Sequence, residues 1–141
     1  MATVAVDFDG VIHAYSRGWA DGTIYDEPVP GAIAGLRTLM RSYSVYIHTS
    51  RSPLPVSEWL SEYGISALPE TEGQIHEFWN YRGHVLVTQR KLPAIIYIDD
   101  RGLRFETWEQ TLADLPVLAP GHSLVQEQGG HRDYSARPPR T

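Results

Sequence analysis

Thr3-Val4-Ala5-Val6-Asp7-Phe8-Asp9-Gly10-Val11 is the stretch whose reading decides the fold. A short β-branched run ends abruptly in two acids and a glycine. Three later runs share the design. Val45-Tyr46-Ile47 leads through His48 to Thr49, Val85-Leu86-Val87 ends at Thr88, and Ile95-Ile96-Tyr97-Ile98 ends at Asp99. All are continuous rather than alternating, as strands buried on both faces of a parallel sheet read. Helical segments lie between them. Pro30-Gly31 opens a stretch with Ile33, Leu36, Leu39 and Met40 near helical spacing. The same spacing predicts helices over Ser57–Tyr63, closed by Gly64, over Gln74–Tyr81, and over Thr107–Leu115, capped by Thr107 and stopped by Pro116. Strand–helix alternation means βαβ units and an α/β class with a mostly parallel sheet.

The chain has 141 residues, one domain's worth, and no cysteine, which excludes disulfides, thiolate zinc sites and cysteine nucleophiles. A net charge of −5 argues against a generic nucleic-acid coat. There is no basic, apolar leader and no run of about 18 apolar residues, so a soluble, cytoplasmic domain with no membrane partner is expected. Residues 1–118 read as the folded domain. Within it, residues 13–29, rich in Gly, Asp, Pro and aromatics, form a long loop or small hairpin after the first strand. Residues 119–141 hold three Gly and three Pro and read as a flexible tail, its arginines Arg132, Arg137 and Arg140 solvated rather than on nucleic acid.

In an open α/β sheet the site lies beyond the carboxyl ends of the strands. Those ends carry Asp7 and Asp9, Thr49 with Ser50 and Arg51, and Asp99 with Asp100, and Lys91, the one lysine of the chain, comes shortly before the last strand. Two carboxylates ~4 Å apart at an effective dielectric of ~20 repel by about 4 kcal/mol. Four in one crevice have raised pKa values or need a cation, and an all-oxygen set with room for water suits Mg²⁺. Lys91 and Arg51 add positive charge of the kind that holds a phosphate. A carboxylate beside such a cation can attack phosphorus, so the set reads as phosphoryl transfer. No G-x-x-x-x-G-K-[ST] loop occurs, which argues against a kinase.

These residues resemble the four motifs of the haloacid dehalogenase superfamily. Asp7-Phe8-Asp9-Gly10-Val11 resembles its first motif, Thr49 the second, Lys91 the third and Asp99-Asp100 the fourth, in the right order over residues 4–100. His48-Thr49-Ser50-Arg51 and Ile98-Asp99-Asp100-Arg101 are further similar to the 3′-phosphatase domain of polynucleotide kinase/phosphatases. The resemblance implies a three-layer α/β/α, Rossmann-like domain and an Mg²⁺-dependent phosphomonoesterase working through an aspartyl phosphate. The substrate it implies is a nucleotide or a nucleic-acid 3′-end phosphate. Asp7 would be the nucleophile and Asp9 the general acid and base. Asp7, Asp9 through its backbone carbonyl, and Asp100 would ligate the metal, with Asp99 holding a metal water or Lys91. Thr49 would bond a phosphoryl oxygen, Lys91 would stabilise its charge, and Gly10, Ser50 and Arg51 would contact substrate.

The sequence departs from that family in two places. No helix fits between Lys91 and the strand that follows, which leaves Arg90 as a substitute for it. Residues 13–29 are also too few for a large cap. A nearly capless site suits an extended phosphate ester. The alternatives are a small-metabolite phosphatase closed by a partner subunit, and a non-catalytic phosphate- or metal-binding module. His13 reads as a loop histidine or a substrate contact, and His48 as packed on a helix rather than bound to metal. His84, His122 and His131 show no zinc-ligand spacing. Tyr15 and Trp19 read as anchors of the 13–29 loop, with base stacking as their other use.

Overall fold

The computed structural model describes residues 2–99, 103–104 and 106–118. The expected tail and the residues Asp100 and Arg101 lie outside the described residues. The four expected strands form, as β1 (Thr3–Asp7), β2 (Ser44–His48), β4 (Val85–Thr88) and β5 (Ile96–Asp99). Two short ones join them, β3 (Ala67–Pro69) and β6 (Leu103–Arg104). The sheet runs β3-β4-β2-β1-β5-β6 and every pairing is parallel, so the chain is an α/β protein. Among the described residues no helix is long and apolar enough to cross a membrane.

Alternate strand residues divide between two cores. Val4, Val6, Val45, Ile47, Val85, Val87, Ile96 and Ile98 face helices α1 (Ala32–Ser42), α2 (Pro53–Glu62) and α3 (Trp108–Leu118). Ala5, Tyr46 and Leu86 face the other way, against Trp79, Leu92 and the partly buried Ala94. The segment Gln74–Tyr81 that covers this second face is not the helix its spacing predicts. Only Trp79 of its apolar residues is buried, while Ile75 and Phe78 stand more than half exposed. One ring is the anchor. The Thr3 hydroxyl donates to the Trp79 carbonyl at 2.7 Å, and the Trp79 indole donates to the His84 carbonyl at 3.3 Å. With one buried ring rather than an apolar stripe, the segment has no common face for a helix to bury.

Helix boundaries follow local chemistry. Helix α1 buries Ala32, Leu36 and Leu39, spaced to make one stripe. Helix α2 starts at Pro53, ahead of the predicted Ser57, because proline at the first helical position has its φ preset and loses no bond. It closes on Gly64 at φ +87°, with the Ile65 N–H on the Leu60 carbonyl at 3.1 Å and the Gly64 N–H on that of Ser61 at 3.0 Å. Helix α3 is capped as expected, the Gln110 N–H donating to the Thr107 hydroxyl at 3.1 Å, but it runs past Pro116 to Leu118. Proline forfeits one backbone bond there while its fixed φ still fits a helix.

Trp108 locks α3 to the rest of the domain. Its buried indole N–H donates to the carbonyl of Val11, just after the first acidic motif, at 3.0 Å. Its ring lies so close to Gly35 of α1 that a Cβ there would sit 2.4 Å from a ring carbon. Gly35→Ala is expected to force the helices apart and destabilise the protein by about 1–3 kcal/mol. Urea denaturation checks it, and an unchanged midpoint would show that Trp108 shifts freely.

Candidate active site

Register builds a row of polar side chains along the carboxyl edge of the sheet. Asp7 pairs with His48, and His48 with Thr88. Asp99 stands on the other side of Asp7, one position past the paired Val6 and Ile98. The Lys91 ammonium lies 3.6 Å from the Asp99 carboxylate. Asp7 and Asp99 thus stand at adjacent strand ends, with Lys91 beside Asp99. His48 does not pack on a helix, since its strand position faces away from the helices. Its Nδ1 lies 3.8 Å from Asp7 Oδ1.

Lys91 owes its place to two phenols. The Tyr46 hydroxyl donates to the Leu92 carbonyl at 2.7 Å and accepts the Leu92 N–H at 2.8 Å. The Tyr97 hydroxyl donates to the same carbonyl at 2.6 Å. Burial pushes the Tyr46 phenol far above its ordinary pKa, so it stays a neutral donor. This clamp holds the backbone beside Lys91 with no helix between the lysine and β5. Arg90 is not the substitute, because its guanidinium is engaged elsewhere: it binds Glu70 at 2.9 Å and donates to the His76 carbonyl.

Asp9 sits in a second cluster. The Arg51 Nε donates to both Asp9 oxygens, at 3.2 and 2.9 Å, and His13 Nδ1 lies 2.8 Å from Oδ1. The Asp26 N–H donates to His13 Nε2 at 3.0 Å, so the hydrogen of this imidazole is on Nδ1 and points at Asp9. His13 is fully buried, between the rings of Phe8, Tyr25 and Trp59. It is no idle loop histidine: it fastens the 13–29 flap to Asp9. The Arg51 Nη1 donates to the Gly22 carbonyl in the same flap at 2.6 Å, and its guanidinium lies 4.7 Å from the Trp19 ring. The Asp9 carboxylate is therefore committed to Arg51 and His13, bonds that do not involve the backbone carbonyl through which Asp9 is expected to meet a metal. Trp19 is half exposed and does not anchor the flap as expected. His13 does that, while the Tyr25 hydroxyl ties the flap to itself, accepting from the Arg17 N–H and donating to the Gly18 carbonyl, each at 2.7 Å.

Two strand ends use one local device. The Thr49 hydroxyl accepts the Arg51 N–H at 3.0 Å, and the Thr88 hydroxyl accepts the Arg90 N–H at 3.0 Å. In each, a Thr-x-Arg turn aims an arginine at an acid, Asp9 in one case and Glu70 in the other. With its oxygen accepting, the Thr49 hydroxyl keeps its hydrogen for a further acceptor. Gln89 ties the turns together through the carbonyls of Ser50 and Arg51. Ser50 itself is exposed, as is Gly10, whose φ of +85° suits glycine and where an added Cβ would meet nothing. Sequence reasoning missed Glu70, Thr88 and Tyr46. The repeated Thr-x-Arg at residues 49–51 and 88–90 was the signal for Thr88, whereas Glu70, just after β3, had none.

Among the described residues no three His, Asp or Glu side chains converge tightly enough to hold a metal ion. Asp7 and Asp99 offer hard oxygen donors, a set that fits Mg²⁺. Asp100, the third expected carboxylate, lies outside the described residues. No protein-family model, curated protein or solved structure matches the chain.

Burial alone would push the Glu70 carboxyl up. Hydrogen bonds from Arg90, Thr88 and the His76 N–H outweigh it and hold the pKa at about 2. Because the folded value is depressed, its contribution is present above about pH 4.5 and lost as pH falls towards 2. Glu70→Gln is expected to remove roughly 2 kcal/mol of stability at pH 7, allowing for screening at the exposed side of Arg90, and little at pH 2. Urea midpoints across that window check it. Parallel curves for the two proteins would contradict it.

Proposed function

We propose that this chain is a phosphomonoesterase of the haloacid dehalogenase type, with Asp7 as nucleophile. In that reading the parallel sheet is the Rossmann-like core of the family, with irregular chain over one of its faces. The observation that carries the proposal is the meeting of Asp7, Asp99 and Lys91 at adjacent strand ends, with Asp9 held two residues away by Arg51 and His13.

An Asp7 carboxylate oxygen attacks phosphorus, forming one P–O bond while the bond to the ester oxygen breaks. Asp9 gives the leaving oxygen its proton. Water then attacks the aspartyl phosphate, Asp9 takes the water proton, and phosphate and Asp7 are restored. In the described geometry both Asp9 oxygens accept hydrogen bonds, which suits the base of the second step. The acid form of the first step requires one of those bonds to loosen. Lys91 and the Thr49 hydrogen supply charge and a donor to the phosphoryl oxygens. Mg²⁺, held by Asp7 and Asp99 with water completing the set, would neutralise the paired carboxylates and polarise the phosphate.

The test is phosphate release from p-nitrophenyl phosphate, mononucleotides and a 3′-phosphorylated oligonucleotide, with Mg²⁺ and with EDTA. Release in Mg²⁺ alone is expected. It should fall by about 10³ or more in Asp7→Asn and by about 10² in Asp9→Asn. Near wild-type turnover in Asp7→Asn would remove Asp7 as nucleophile. A folded protein silent on the whole panel would favour a non-catalytic phosphate-binding module.

A further inference from the structure

At the amino edge of the sheet, opposite the candidate active site, lies an open pocket of about 350 Å³. Arg37, Met40 and Arg41 of α1, Gly64 and Ser66 ahead of β3, and Gly83 ahead of β4 are among its walls. Arg37 and Arg41 are one helical turn apart on α1, so their side chains are neighbours, and like charges so placed repel. An acid between them is the usual remedy. Among the described residues neither pairs with a carboxylate, and no acid lines the pocket. A guanidinium carries a whole fork of donors. Among the described residues Arg37 spends one on the Tyr63 carbonyl at 3.0 Å, and Arg41 one on the Thr38 hydroxyl at 3.3 Å. Gly64 gives Arg37 its seat, since a Cβ there would lie 2.6 Å from Nη2. The carbonyls that close α1 would by themselves oppose an anion. Arg82 covers them, donating to the carbonyls of Met40 and Arg41.

We propose that this pocket binds a phosphate group, free or on a small organic body. A carboxylate is satisfied by one guanidinium fork. A phosphate has more oxygens and a second charge, so it takes both forks at once and offsets their repulsion. The Ser66 hydroxyl, 2.7 Å from His84 Nδ1, is a further polar group in the same wall. Met40 offers an apolar wall for a short carbon chain. Two arginines in one pocket are a point of charge rather than a track, on a chain of net charge −5. A polynucleotide backbone needs a run of cations, so a small ligand is favoured. The pocket shares no lining residue with the site around Asp7, and it would fill whether or not the protein is a phosphatase.

The test is calorimetric titration of the full chain with inorganic phosphate, glycerol 3-phosphate, acetate and a single-stranded oligonucleotide, in EDTA. The variant Lys91→Gln runs beside the wild type, to remove phosphate held at the carboxyl edge. Saturable binding of both phosphates is expected in the wild type and in Lys91→Gln. Arg41→Gln should weaken it by about tenfold or more, and Arg37→Gln likewise. Arg37 also holds the Tyr63 carbonyl at the end of α2, so if that variant melts early Arg41→Gln decides. Glycerol 3-phosphate bound more tightly than phosphate would uphold the site with an organic ligand, and the reverse would uphold it with the free ion. No phosphate bound by Lys91→Gln, binding indifferent to Arg41→Gln, acetate bound as tightly as phosphate, or the oligonucleotide bound more tightly than glycerol 3-phosphate would each overturn the proposal.

Discussion

A buried arginine needs an acid, and around that need the site is organised. Arg51 is almost wholly removed from water, so its charge must be matched inside the protein. Asp9 matches it. One contact then joins three segments distant in sequence: the turn after β1, the turn after β2 and the 13–29 flap, reached through the Gly22 carbonyl and through His13. Removing either partner would leave a charge stranded in a low dielectric, a loss of about 3–5 kcal/mol. The group proposed for acid–base work is thus also the pin of the flap. Chemistry and enclosure share one guanidinium.

The other half of the site is positioned without helices. On the face of the sheet away from α1, α2 and α3, the chain is irregular and is held by a few deep anchors. Trp79 fixes one segment, and Leu92, caught by the hydroxyls of Tyr46 and Tyr97, fixes the next. Lys91 sits beside that second anchor, which gives a flexible cation a defined base. Glu70 gathers Arg90 and Thr88 in the neighbouring turn. Arg90 is thereby kept on Glu70, and Lys91 stays beside Asp99. The single lysine and its arginine neighbour are told apart by their partners, not by their distance from the strand.

Much of this was legible in the residues. Strands buried on both faces are continuous apolar runs, so β1, β2, β4 and β5 announce themselves, and their ends locate Asp7, Thr49 and Asp99. The short β3 and β6 carry too few residues for a pattern to rise above the loops around them. The false helix over Gln74–Tyr81 has a physical cause. Apolar residues at helical spacing signal a helix only if they share one buried face, and here Trp79 is buried while Ile75 and Phe78 are not. His13 was undervalued for a related reason. Nothing in the stretch after Gly10 tells that the chain folds back, with Pro28 beside His13, to enclose an imidazole. The Arg51–Asp9 pair spans 42 positions, which no local pattern connects, so Arg51 read as a substrate contact.

The proposed phosphatase chemistry requires a covalent bond to phosphorus at Asp7. Borohydride reduces an acyl phosphate to an alcohol, so treating the protein in the presence of a phosphomonoester would leave homoserine at that position. Peptide mass mapping after quenching with and without a phosphomonoester substrate reads it directly. The prediction is homoserine at position 7 alone, only with substrate and Mg²⁺, and none in Asp7→Asn. Turnover that leaves Asp7 unreduced, or places the label on another carboxylate, would contradict it.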